Sequence, residues 1–121
     1  MKYSYYFSVA AFCLMIGFVS CSKSSGGGST TTPTTPDCST AKTFAGDVAP
    51  LVSASCATNS GCHATGSTNG PGALTTYSQI YSARTAIRAA VANGSMPQGS
   101  SLSTSQKNAI LCWVDAGAPN N

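Results

Sequence analysis

The sequence contains little charge, and it is especially poor in carboxylates. Charged residues make up 7% of the 121 residues, and the acidic groups are Asp37, Asp47 and Asp115, because there is no glutamate. Glycosidase-type catalysis needs a pair of carboxylates, and a calcium or magnesium cage needs several oxygen ligands. Three scattered aspartates favour neither. The six Lys and Arg residues form no cluster, which argues against a nucleic-acid partner.

The sequence also lacks an apolar run long enough to span a membrane. The longest run, from Tyr5 to Val19, covers about 15 residues, whereas a spanning helix needs roughly 20. It follows Lys2 and ends in Ser20-Cys21, which is the pattern of an export signal over residues 1–20. One interpretation is an ordinary cleaved export signal, in which Cys21 has no role in the processing.

Phe18-Val19-Ser20-Cys21 resembles a bacterial lipobox. The resemblance implies that Cys21 is lipidated and becomes the mature N-terminus, so that a lipid attaches the protein to a membrane of the bacterial cell envelope. Residues 22–36 contain only Ser, Lys, Gly, Thr and Pro. Such a segment has no apolar surface to bury, so residues 21–37 are predicted to form a disordered tether. Residues 38–121 remain as the folded domain.

Within that domain, apolar residues repeat at helical spacing in three segments, near residues 43–54, 77–92 and 104–116. No segment alternates apolar and polar residues as a half-buried strand does. The sequence therefore predicts a small all-α domain.

Local signals mark where these helices begin and end. Pro50 is tolerated only in a first turn, so the regular part of the first helix is expected to begin near Asp47, a favourable N-cap. Asn93-Gly94 is expected to end the second helix. Ser103-Thr104-Ser105-Gln106 has the pattern of a capping box for the third.

The residues that bind soft metals or haem occur in two places. Cys56, Cys62 and His63, the single histidine, follow the first helix, and Met96 follows the second in Ser95-Met96-Pro97. Two thiols can form thioethers with the two vinyl groups of haem, while imidazole and methionine sulfur can bind opposite faces of the iron. Iron ligated in this way has no open position for a substrate, which indicates an electron carrier rather than an enzyme.

The order of these features resembles the cytochrome c family, and in particular the short cytochrome-c-like domains of bacterial lipoproteins. The resemblance covers about residues 43–119 and is carried by Asp47-Val48-Ala49-Pro50-Leu51, the Cys-His segment, Asn93-Gly94-Ser95-Met96-Pro97 and Ala109–Ala118.

The resemblance implies one covalent haem c, attached through Cys56 and Cys62 and ligated by His63 and Met96. It also implies redox proteins as partners and no catalytic residues. The c-type signature is C-x-x-C-H, whereas five residues separate Cys56 from Cys62 here. The additional residues are expected to bulge outward, and Asn59-Ser60-Gly61 favours a turn there.

Cys38, Cys56, Cys62 and Cys112 are the cysteines of the folded domain, and four cysteines allow three pairings. If haem occupies Cys56 and Cys62, then Cys38 and Cys112 are left as a pair. The first and last helices of cytochromes c pack together, so the resemblance implies that these two can form a disulfide.

Two other interpretations remain open for the same residues. The first is a haem-free interaction module of cytochrome c shape, with disulfides Cys56–Cys62 and Cys38–Cys112. The second is a zinc site built from Cys56, Cys62 and His63 with Cys38 or Cys112. An oxidising compartment disfavours the free thiolates that zinc requires.

Overall fold

The computed structural model describes residues 35–121. The predicted signal (residues 1–20), Cys21 and the predicted tether up to residue 34 lie outside this part of the chain. The described residues are helical and contain no strand, which confirms the all-α prediction. No helix among them is sufficiently long and apolar to cross a bilayer.

Three α-helices and one π-helical turn make up the regular structure. The π-helical turn spans Phe44–Val48 and leads directly into α1, Ala49–Ser55; α2 spans Tyr77–Asn93 and α3 spans Thr104–Asp115. The predicted second and third helices agree with α2 and α3 to within a residue at each end.

The first helical segment begins earlier than the sequence indicated, because Thr43 is its N-cap. Its hydroxyl oxygen accepts the backbone N–H of Gly46 at 3.1 Å. Asp47, predicted as the cap, lies one turn inside and accepts hydrogen bonds from the Thr43 N–H (2.8 Å) and hydroxyl (3.1 Å). The N–H of Val48 donates to the carbonyl of Thr43, five residues earlier, which makes this turn π-helical.

The predicted boundaries of α2 and α3 are confirmed. Gly94 ends α2 in the left-handed conformation, with φ of 75°, which glycine adopts without steric cost. Ser103 and Gln106 form the capping box of α3 through reciprocal side-chain bonds to backbone N–H groups. Thr76 and Gln79 form an equivalent box at the start of α2. Thr76-Tyr77-Ser78-Gln79 has the same sequence pattern as the box of α3.

The hydrophobic core lies where α2 and the π-helical turn pack on α3. Trp113 and Ile110 of α3 are fully buried, as are Val48 and Val52 of the first helical segment. The indole of Trp113 lies 5.7 Å from the ring of Phe44 and 6.5 Å from that of Tyr77, measured between centroids. Rings in this range add attraction to the burial of area.

Both ends of the domain are joined to α3 and its neighbours. Cys38 and Cys112 form a disulfide, with Cα atoms 5.4 Å apart and a sequence separation of 74. At the other end, the carbonyl and side-chain oxygens of Asn121 accept the N–H groups of Ala45 (2.8 Å) and Phe44 (2.9 Å). The four cysteines of the domain allow three disulfide pairings, and the structure contains the Cys38–Cys112 bridge.

Candidate functional site

The segment after α1 folds back so that Cys62 and His63 come next to Cys56. Cys56 is the C-cap of α1, and its N–H donates to the carbonyl of Val52 at 2.8 Å. Its own carbonyl accepts the N–H of His63 at 3.0 Å. The five residues between the cysteines therefore leave and return as a closed loop, which is the bulge that the sequence predicted.

Asn59 closes this loop with its side chain. The Oδ1 atom of Asn59 accepts the N–H groups of Gly61 (2.9 Å) and Cys62 (3.1 Å), in the manner of an Asx turn. The backbone carbonyl of Asn59 accepts from Cys62 and from Ala64, both at 3.0 Å. The turn-forming tendency of Asn59 was evident from the sequence, but its two side-chain bonds were not.

The following turn holds the same segment from its other side. Asn69 donates its side-chain Nδ2 hydrogen to the carbonyl of Gly61 at 2.8 Å, and the buried hydroxyl of Ser67 donates to the carbonyl of Cys62. Both residues occur in a Ser/Gly/Asn-rich stretch without helical period, and nothing in their sequence pattern points to these carbonyls.

The imidazole of His63 is oriented by one backbone hydrogen bond. His63 is 9% exposed as a residue, and its ring Nδ1 lies 2.9 Å from the carbonyl oxygen of Gly72. A carbonyl only accepts, so Nδ1 must carry the hydrogen, and in the neutral ring Nε2 then has the free electron pair. No group within residues 35–121 is hydrogen-bonded to Nε2. This is the tautomer in which Nε2 can ligate a metal ion.

The two thiols next to His63 differ in exposure. Cys56 is half-buried against the core, Cys62 is exposed, and both are free thiols. Burial, and secondarily the charge of a Cys62 thiolate, raise the pKa of the Cys56 thiol. Cys56 is therefore protonated at neutral pH, and it becomes nucleophilic only when a base removes its proton. The Cys56–Cys62 disulfide of the haem-free interpretation is not formed in the structure.

Residues 35–121 do not provide enough ligands for the proposed zinc site. Cys38 and Cys112, either of which was expected to complete the set, are bonded to each other. Across the described part of the chain, no three His, Cys, Asp or Glu side chains are arranged to hold a metal ion. A structural zinc site requires about four converging ligands.

Met96 lies in the loop that follows α2. Its N–H donates to the carbonyl of Ala90 at 3.3 Å, its side chain is half-buried, and the Met96–Pro97 peptide bond is cis. Among the clefts of residues 35–121, two of about 330 and 190 Å³ are lined by neither His63 nor Met96. The structure thus brings Cys56, Cys62 and His63 together, and it places Met96 at the end of a different helix.

Both arginines of the chain are on α2 and contact neighbouring side chains. Arg88 of α2 forms a bidentate pair with Asp115 at the end of α3, with N–O distances of 2.6 and 2.9 Å, which lowers the pKa of the Asp115 carboxyl. The guanidinium of Arg84 lies 4.0 Å from the centre of the Tyr81 ring. Both arginines are therefore engaged with neighbours on the α2 surface.

Comparisons with known proteins add no relative: no protein-family model matches the chain, and neither does any curated protein or solved structure. The function is therefore argued from the geometry of these residues.

The haem donor set meets one chemical requirement at this site. An attached haem needs two thiols and an imidazole whose Nε2 is available, and the structure supplies all three within one hydrogen-bonded segment, Cys56–His63. The sulfur of Met96 is the one donor that comes from elsewhere.

Proposed function

We propose that this protein is a c-type cytochrome domain, lipid-anchored at the bacterial cell envelope, that passes single electrons between redox proteins. The proposal is carried by one observation: His63 lies in the same closed segment as two free thiols, with Nδ1–H bound to the Gly72 carbonyl and the Nε2 electron pair left available.

Four residues would hold the haem. Cys56 and Cys62 would be its thioether attachments, and His63 and Met96 the axial ligands of the iron. When bound, haem supplies an iron that accepts and releases one electron, and Met/His ligation raises its reduction potential. The carbonyl of Gly72 fixes the imidazole orientation and increases its basicity. The chain itself supplies attachment, ligation and exclusion of substrate.

The test is to produce the protein together with haem-attachment machinery and to measure its mass and its reduced-minus-oxidised visible spectrum. We expect red protein with a sharp reduced alpha band and a mass increase of one haem that survives thiol reductant. The double variant Cys56→Ala/Cys62→Ala should lose the added mass. Met96→Leu should keep the mass added by haem but lose the weak far-red band of sulfur-ligated ferric haem. Colourless wild-type protein with the mass of the bare polypeptide would refute the proposal.

A second candidate is the haem-free interaction module. It is favoured by the finding that neither of those two clefts is lined by His63 or Met96, together with a core that is closed around the fully buried Trp113. Of its two disulfides, Cys38–Cys112 is present and Cys56–Cys62 is not. The mass measurement separates the candidates, because a disulfide gains two hydrogens on reduction while a thioether-bound haem is unaffected.

The membrane anchor depends on the sequence alone, since Cys21 lies outside the described residues. It is supported by the apolar run before Cys21 and by the Ser/Gly/Thr/Pro segment after it. We expect the protein to partition with membranes and to incorporate labelled fatty acid, and Cys21→Ser to abolish both. Labelled fatty acid on Cys21→Ser protein, or none on the wild type, would contradict a lipidated Cys21.

A further inference from the structure

Several of the hydrogen bonds that close the loop between the two thiols are made by one residue, Asn59. Asn59 accepts the N–H of Cys62 with both its side-chain oxygen (3.1 Å) and its backbone carbonyl (3.0 Å), and it also accepts from Gly61. Bonds of this kind form an Asx turn, which fixes the local direction of the chain. Here the N–H that is held belongs to one of the reactive cysteines.

Hydrogen bonds on either side of Cys62 hold its main chain near that of Cys56. The N–H of Cys62 is held by Asn59, and the next N–H along the chain, that of His63, is held by the carbonyl of Cys56 at 3.0 Å. Cys62 therefore lies between two anchors, one of which is Cys56 itself. Removing the Asn59 side chain takes away its two bonds to the N–H groups of Gly61 and Cys62, which loosens the loop and increases the conformations available to the Cys62 side chain.

We propose that Asn59 is a positioning residue that holds Cys56 and Cys62 together as one dithiol, able to react with two sulfur-reactive positions on a single ligand. That the ligand is haem rests on the proposed function, whereas the pairing of the thiols does not. The same loop explains how a five-residue spacing presents its two sulfurs on one segment. Two thiols that are already held on one closed segment lose less conformational entropy when both react with the same ligand than two thiols on an open loop would lose.

The test measures the effective concentration of the two thiols towards each other in the full chain made without haem. The protein is equilibrated with reduced and oxidised glutathione at one fixed pH. Oxidised glutathione takes two electrons and two protons from the thiols; its S–S bond breaks to give two reduced glutathiones, and an S–S bond forms between Cys56 and Cys62. Alkylation then traps the remaining thiols.

Trypsin makes this readout specific. Cleavage after Lys42 and Arg84 releases a peptide, residues 43–84, that contains Cys56 and Cys62 and none of the other cysteines. Its mass carries either two alkyl groups or one internal disulfide. The Cys38–Cys112 bridge is recovered on other peptides and does not enter the measurement.

We expect Asn59→Ala to lower the effective concentration by roughly tenfold, the size expected for losing one or two hydrogen bonds at a surface loop. A tenfold change corresponds to a reduction potential about 30 mV more positive for this two-electron couple. Asn59→Asp keeps an oxygen that accepts the same two N–H groups and should restore the wild-type value.

Asn93→Ala is the matched control. Asn93 makes the same kind of side-chain bond, accepting the N–H of Ser95 at 2.8 Å, but at the end of α2. Its replacement should leave the Cys56–Cys62 equilibrium unchanged. The proposal is overturned if Asn59→Ala matches the wild type, or if Asn59→Asp is as weak as Asn59→Ala. Colourless wild-type protein with a tenfold effect of Asn59→Ala would refute haem binding and leave the dithiol proposal intact.

Discussion

The Cys38–Cys112 disulfide is expected to supply a large share of the stability of the domain. The bridge joins residues 74 apart in sequence, which encloses most of residues 35–121. In the chain-entropy description, a covalent loop of this length stabilises the folded state by about 4–5 kcal/mol, because it restricts the unfolded chain. Small domains are stable by about 5–15 kcal/mol in total. Cys38→Ala/Cys112→Ala should therefore leave the domain marginally stable or unfolded at 37 °C.

Urea denaturation at 25 °C and neutral pH, followed by the fluorescence of the single Trp113, measures this loss. The unbridged variant should have a lower transition midpoint. Its m-value should be higher, because an unfolded chain without the cross-link exposes more surface. Haem-free Cys56→Ala/Cys62→Ala is the matched control: it removes two cysteines without breaking a bond, and it should cost only about 1 kcal/mol, from the half-buried Cys56.

The entropic reasoning fails if removing the bridge costs less than about 1 kcal/mol with an unchanged m-value. That result would mean that the unfolded chain is already compact enough for the bridge to restrict nothing further. A loss equal to that of the control would lead to the same conclusion. If the variant is already unfolded in water, adding a stabilising osmolyte to both proteins restores a measurable transition, and the difference in midpoint gives the comparison.

Three further predictions concern local bonds. Ser103→Ala, which removes the N-cap of α3, should cost about 1 kcal/mol in thermal or urea unfolding, whereas Ser101→Ala at the neighbouring exposed position should cost nothing measurable. Tyr77→Phe should cost about 1 kcal/mol, because the phenol donates to the carbonyl of Ala118 at 2.9 Å; an unchanged midpoint would contradict that bond. Two hydrogen bonds lower the pKa of Asp47 in the folded state, so its contribution is full above the unfolded pKa of about 3.9 and is lost as the pH falls through the folded value. Asp47→Asn should therefore make the urea midpoint less sensitive to pH below about 5, and an identical pH profile would count against this assignment.

The sequence predicted the helices well where the deciding interactions are local. The capping box at Ser103 and the glycine after Asn93 act within one turn, so each is visible in a few consecutive residues. The start of the first segment was misplaced because Thr43 and Asp47 are both good caps and bond to each other. Which of them lies outside the helix is settled by the π-helical turn, which a period of 3.6 does not reveal.

In the candidate site, too, the features set by local sequence could be predicted and those set by distant parts of the chain could not. The closeness of Cys62 and His63 to Cys56 followed from a short loop with turn-forming residues, and the structure contains that loop. The acceptor for His63 Nδ1 could not be predicted, because it depends on the course of the irregular chain up to Gly72. The orientation of Met96 relative to His63 depends on how the loop after α2 packs, and no local pattern determines that.

His63 and the two thiols beside it bear differently on the choice between the two candidate functions. A buried ring nitrogen without a partner would cost free energy, but no buried side-chain nitrogen or oxygen of the described residues lacks a hydrogen bond, so an imidazole nitrogen without a protein partner reaches solvent. His63 is mostly buried as a residue, one ring nitrogen is satisfied by Gly72, and no described residue bonds the other. Water can therefore bond Nε2 in an interaction module, and iron can use the same electron pair in a haem site, so the imidazole alone does not separate the two candidates. Two free thiols on the same short segment add a second requirement of haem attachment that an interaction module does not have. The two thiols therefore support the proposed cytochrome, and a far-red band that is present in the wild type and absent from Met96→Leu tests Met96 as the second ligand.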